Sequence, residues 1–151
     1  MTTTTPLVDP RVIALAHYAS RALLENVLDR HGATFQQSVT LRLVAVAEGP
    51  VDRDALVAGV VGALKADAAE VRSVVDELIA AGLLAAQEPS AVRITDVGRE
   101  RFTSTSAATA PLTARIYDGI PQEDLAVAGR VLTLITERAD AELAALTTAA
   151  K

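Results

Sequence analysis

The chain of 151 residues contains no cysteine and no tryptophan, and it has one methionine, two histidines, two tyrosines and two phenylalanines. Each scarcity removes a class of protein. Without cysteine there is no disulfide scaffold, no thiolate metal site and no thiol redox switch. His17 and His31 are the only imidazoles, too few without thiolates to suggest a metal site. Aromatic residues make up 3% of the chain, and the hydrophobic 50% is mostly Ala, Val and Leu, which favours packed helices over a sheet-rich core. No apolar run approaches the roughly 18 residues of a membrane span. The opening "MTTTTPLVDPR" lacks the basic-then-apolar layout of a signal peptide, and only its Thr run at 2–5 is of low complexity. There is no Gly-rich phosphate loop and no carboxylate pair beside a nucleophile, so neither catalysis nor a cofactor is expected. A soluble, cytoplasmic, non-enzymatic protein with no membrane partner is the expectation. The length suits one compact domain or one protomer of an intertwined oligomer.

Basic residues are also in the minority: 14 Lys and Arg against 19 Asp and Glu, a formal charge of −5. That balance argues against a protein that coats nucleic acid, but not against a reader with a local basic patch.

What is present is helical periodicity. "VDPRVIALAHYASRALLENVLDRHG" has Asp9 as N-cap, Pro10 at the first helical position and Gly32 at the exit. Ile13, Ala16, Ser20, Leu23 and Val27 recur at steps of three and four, with Leu24 and Leu28 widening the stripe. A second helix opens on a capping box, Thr34-x-x-Gln37, and carries Val39, Leu43, Val44 and Val46 before "EGP" stops it. A third follows Asp52, with Leu56, Val60, Val61 and Leu64 inward; Gly59 and Gly62 predict an interruption or close packing. Asp67 and Glu70 have capping-box spacing before Val71, Val74, Val75 and Leu78, and "AAGLL" closes that helix. The period then changes, and "LLAAQEPSAVRITD" reads as a two-stranded hairpin. "DVGRERFTSTSAATA" predicts a helix interrupted or kinked near Pro111, or else a flexible segment. The last helix starts at Pro121, has Glu123 and Asp124 in its first turn, and presents Leu125, Ala128, Leu132, Ile135, Ala139, Leu143 and Leu146. No internal repeat is visible. The fold class expected is mainly α (α+β): a winged helix-turn-helix with long N- and C-terminal helices.

In order and spacing, the long first helix, Thr34-x-x-Gln37, "DELIAAGLL", "ITDVG" and "GIPQEDL" resemble the MarR family of bacterial transcriptional regulators over essentially the whole chain. The resemblance implies one protomer over 1–151, with 34–103 the winged helix-turn-helix and 1–33 and 111–151 the helices of an intertwined homodimer. It implies paired recognition helices in successive major grooves of a pseudo-palindromic double-stranded DNA operator, with wings on the minor grooves, and repression. It also implies a small aromatic or phenolic effector held between dimer and DNA-binding regions. The chain departs from the pattern in places. It is about one helical turn longer around "VGAL". Glu70-Val71-Arg72-Ser73 stands where the family commonly has Thr-Val-Thr-Arg, Ala81 replaces the Arg before Gly-Leu, and the wing lacks Asp-x-Arg, leaving Arg93 as nearest substitute.

The DNA-reading set expected is Lys65, Ala68, Ala69, Arg72 and Ser73 on and before the recognition helix, and Arg93 on the wing. Residues 66–94 hold two basic residues against five acidic, a net of −3, so phosphate contacts would also draw on Arg53, Arg99 and Arg101. Arg72 either pairs bidentately with guanine or forms an i,i+4 salt bridge with Asp76. Glu70 either accepts from cytosine or completes a capping box with Asp67. Arg93 is a wing contact or an ordinary exposed strand residue. His17 and Tyr18 either line a ligand pocket or form a polar seam between protomers. The last helix either dimerises or closes an intramolecular bundle. A second functional class, a winged-helix protein-interaction module that has lost DNA reading, fits the acidity of the recognition region.

Overall fold

The computed structural model describes residues 4–150; part of the Thr2–Thr5 run and the C-terminal Lys151 lie outside the described residues. The elements are α1 (Pro10–Arg30), α2 (Phe35–Ala45), β1 (Val51–Asp52), α3 (Arg53–Leu64), α4 (Ala68–Ala80), β2 (Leu84–Gln87), β3 (Ala91–Ile94), α5 (Asp96–Tyr117) and α6 (Gln122–Ala149). They fall into two units divided inside α5, one ending at Leu112 and the other beginning at Thr113.

Most boundaries are set by side chains next to them. The Asp9 carboxylate accepts from the Val12 amide at 2.8 Å and starts α1 at Pro10. Thr34 and Gln37 form the full reciprocal capping box that starts α2. At α4 the box is only half made. Asp67 accepts from the Ala69 and Glu70 amides, and the reach of Glu70 back to Asp67 is not among the bonds of the described residues.

In the first unit, Leu41, Val44, Leu56, Val57, Val60, Val71, Val74, Val75, Leu78, Leu83, Leu84 and Val92 form one core in which α2, α3 and α4 meet the sheet. The sheet corrects the expected two-stranded hairpin. β1 adds a third strand in the order β1-β3-β2, both pairs antiparallel, with Val51 opposite Val92 and Leu84 opposite Ile94. A strand of two residues carries no period, so only its pairing reveals it. In α2, Thr40, Leu41, Val44 and Ala45 are buried, whereas Val46, at its C-cap, is exposed. In α1 only Val27 and Leu28 are buried.

Of the alternatives at Gly59, Gly62 and Pro111, outright interruption is not found. α3 runs unbroken through Gly59 and Gly62 and stops at Lys65, whose φ of 54° is left-handed. A Cβ at Gly59 would meet Leu43 at an ordinary 3.6 Å, and one at Gly62 would meet nothing within 4 Å. Likewise α5 is continuous through Pro111, although that residue withholds the N–H that Ala107 would otherwise receive. Thr105 and Thr109 hydroxyls donate back to carbonyls one turn earlier, a bonding habit that helps a helix bend without breaking.

The second unit is the end of α5 and the 28-residue α6. α6 has no buried residue, and Val127, Val131, Leu132, Leu134, Ile135, Leu143 and Leu146 are exposed.

Candidate nucleic-acid interface and ligand cavity

α4 buries Val71, Val74, Val75 and Leu78 and turns Ala69, Glu70, Arg72, Ser73, Asp76 and Glu77 to solvent. Four of the residues expected to read DNA, Lys65, Ala69, Arg72 and Ser73, thus lie exposed on this helix or just before it. Ala68 is half-buried and packs its methyl against the core. Lys65 directs its ammonium to the Gly62 carbonyl at 2.6 Å. Arg93 stands exposed on β3, opposite Ala85.

Two of the three acidic residues of α4, Asp76 and Glu77, are engaged in ways that local spacing does not reveal. Arg53, at the start of α3, forms an ion pair with Asp76. The Gln37 amide donates to the Glu77 carboxylate at 3.1 Å. Asp67 is engaged in capping. The alternative i,i+4 bridge between Arg72 and Asp76 is therefore not formed, and Arg72 makes no ion pair among the described residues. Gln37 was absent from the sequence-derived set because its partner is 40 residues away.

The wing is tied to the same place. Ser90, in the β2–β3 turn, donates its hydroxyl to Asp52 at 3.0 Å, and its carbonyl accepts from the Arg53 amide at 2.9 Å. Asp52 also caps α3 through the Ala55 amide at 3.0 Å. The Ala55 amide first, and then the Ser90 hydroxyl, hold the Asp52 carboxyl below its ordinary value of 3.8 by favouring the ionised form.

Two arginines expected to add phosphate contacts lie near α2 and α5. Arg99 donates to the Ala45 carbonyl at 3.5 Å, at the end of α2. Arg101 lines a cavity of about 110 Å³ between α1, α2, the end of α4 and α5. Its apolar wall includes Leu24, Leu28, Leu41, Leu78, Leu83 and Phe102, and its polar side includes Gln37, Ser38, Arg42, Arg101, Thr105 and Thr109. Two guanidiniums and no carboxylate line it, so its chemistry suits an apolar molecule bearing an anionic group. His17 lies in a separate groove with Arg21, Phe35, Gln36, Ala63, Leu64 and Ala66, where the Arg21 guanidinium stacks 4.2 Å from the Phe35 ring. Tyr18 is 64% exposed, its ring 5.9 Å from that of His17. The His31 ring donates from Nδ1 to the Val27 carbonyl at 3.0 Å and so closes the last turn of α1. No helix of the described residues is long and apolar enough to cross a membrane.

The three helices α2, α3 and α4 packed on a small antiparallel sheet define a winged helix-turn-helix fold. No protein-family model matches the chain, and no curated protein does so at a significant level. Solved structures do. CouR from Rhodococcus jostii RHA1, bound to p-coumaroyl-CoA, is similar with a TM-score of 0.70 and 19% identity over 83% of this chain and 88% of that one. The reduced form of MarR from E. coli matches at 0.66 with 15% identity over 87% and 95%. NadR in complex with 4-hydroxyphenylacetate matches at 0.70 with 16% identity over 90% and 98%. The fold is that of the MarR-type transcriptional regulators.

Proposed function

We propose that the chain is a member of the MarR family: a cytoplasmic, non-enzymatic, homodimeric regulator that binds a pseudo-palindromic operator and represses transcription until a small ligand releases it. The observation that carries the reading is α4 itself. A recognition helix in the expected place presents Arg72 and Ser73 to solvent, while three of its nearby carboxylates are engaged by Arg53, Gln37 and backbone amides. Arg72 is the base reader, since a free guanidinium can grip guanine bidentately in the major groove. Lys65, Ala69 and Ser73 flank it, Ala68 supports the helix from beneath, and Arg93 serves the wing.

The dimer is supported by α6. A helix of 28 residues with no buried side chain and an apolar stripe gains stability only when another surface covers it. We assign that cover to a second copy, with α1 and α6 intertwined. The effector belongs in the cavity lined by Arg42 and Arg101, and a small carboxylate-bearing aromatic molecule suits its walls. His17 and Tyr18 then form a polar seam rather than the main ligand contact.

The test is selection of bound duplexes from a random library at low ionic strength, using the full-length protein. Recovery of a two-fold symmetric site supports the reading. No enrichment at any salt concentration overturns it and favours the protein-interaction module that the acidity of residues 66–94 suggests.

A further inference from the structure

We propose that Arg53 is a positioning residue for DNA reading, acting through Asp76 to keep Arg72 available; the inference rests on the DNA-binding function proposed above. Asp76 is the only acidic side chain of α4 one turn from Arg72 at i,i+4 spacing. Left alone, the two would meet on the same helix face, and the guanidinium would be held along the helix instead of projecting from it. Arg53 pre-empts this by pairing with Asp76 from α3. The pair is too exposed to hold the fold, with side-chain exposures of 35% and 65%, so its consequence lies in the charge presented by α4.

The placement of Arg53 is itself determined. Its amide donates to the Ser90 carbonyl, and its neighbour Asp52 both caps α3 and accepts the Ser90 hydroxyl. The wing turn, the start of α3 and the exposed face of α4 are thereby joined through two consecutive residues.

Fluorescence anisotropy on the duplex recovered by library selection tests this with full-length wild type, R53A, D76N and R53A/D76N, each across a salt series. Wild type should bind. R53A should bind about five- to tenfold more weakly, because Asp76 then captures Arg72 and withdraws its guanidinium from DNA. D76N should bind at least as well as wild type. The double variant should recover to within about twofold of D76N, with the slope of log affinity against log salt unchanged. The proposal is overturned if R53A binds like wild type, or if D76N fails to restore R53A. In the latter case a slope reduced by about 0.9 would mark Arg53 as a direct phosphate contact. Failure of wild type to bind any duplex sinks the DNA-binding function, and the inference falls with it. Thermal unfolding should separate R53A from wild type by little, since an exposed pair adds little stability.

Discussion

Among the glycines of the described residues, Gly98 has the least room for a side chain. A Cβ there would lie 2.0 Å from the Leu83 carbonyl oxygen and 2.9 Å from Ile94, a clash with backbone that no rotamer relieves. Thr95 holds this junction from the other side: its hydroxyl donates to Gly82 or Leu83 carbonyls and accepts from the Gly98 amide at 3.0 Å. The "AAGLL" and "ITDVG" segments are thus two halves of one contact, in which α5 docks on the exit of α4. Gly98→Ala should cost on the order of 1–3 kcal/mol, the range for overpacking, and urea unfolding would measure it. Asp52 yields a pH prediction at the same scale. A carboxyl whose pKa is lowered in the fold stabilises fully above its ordinary 3.8, and that contribution disappears as pH falls through the lower folded value. The stability gap between wild type and Asp52→Asn should therefore be steady from about pH 7 to 5 and shrink below about pH 4. A gap independent of pH down to about pH 2 would remove the carboxylate from the account.

Among the elements, α3 and α4 differ in what their sequences permit. Gly62 sits in a helix interior with open space where its Cβ would be, so Gly62→Ala should add about 0.5–1 kcal/mol by restricting the unfolded chain. A drop in melting temperature would show that the position is needed for close approach. On α4, Arg72→Ala should weaken operator binding by roughly tenfold or more, the worth of one bidentate guanine contact, with the fold unchanged because the side chain is exposed. Arg93→Ala on the wing should act more evenly across DNA sequences and lower the salt slope by about 0.9. If both variants bind like wild type, the basic residues of this region do not face DNA.

For the whole molecule, the proposed dimer is tested at α6. Leu132 and Ile135 are 41% and 37% exposed on a helix that buries nothing. A double change to glutamate should convert a species of twice the 15.7 kDa protomer mass into one of that mass, as light scattering would read. Operator binding should fall with it, because two recognition helices must sit one DNA turn apart to engage both half-sites. Wild-type protein that already runs at the protomer mass would contradict the intertwined dimer.

Much of this organisation can be read along the chain because its causes are local. Asp9, Thr34 with Gln37, Asp52 and Asp67 begin helices through bonds spanning two or three residues, and apolar steps of three and four place Val71, Val74, Val75 and Leu78 inward. The sequence by itself therefore determined the order of elements, the caps and the inward face of α4. It also offered interruption or close packing at Gly59 and Gly62, and an interruption or kink near Pro111; both helices run on unbroken, since local propensity is weak against packing. Only the tertiary structure decided β1, the half-buried place of Ala68, and which charges of α4 are paired. The Arg53–Asp76 and Gln37–Glu77 contacts join residues 23 and 40 positions apart, and no period or motif encodes which of several exposed charges will meet. A count of charges along α4 gives an acidic helix. The fold, by bringing α2 and α3 alongside it, engages Asp76 and Glu77 and leaves Arg72 to face solvent.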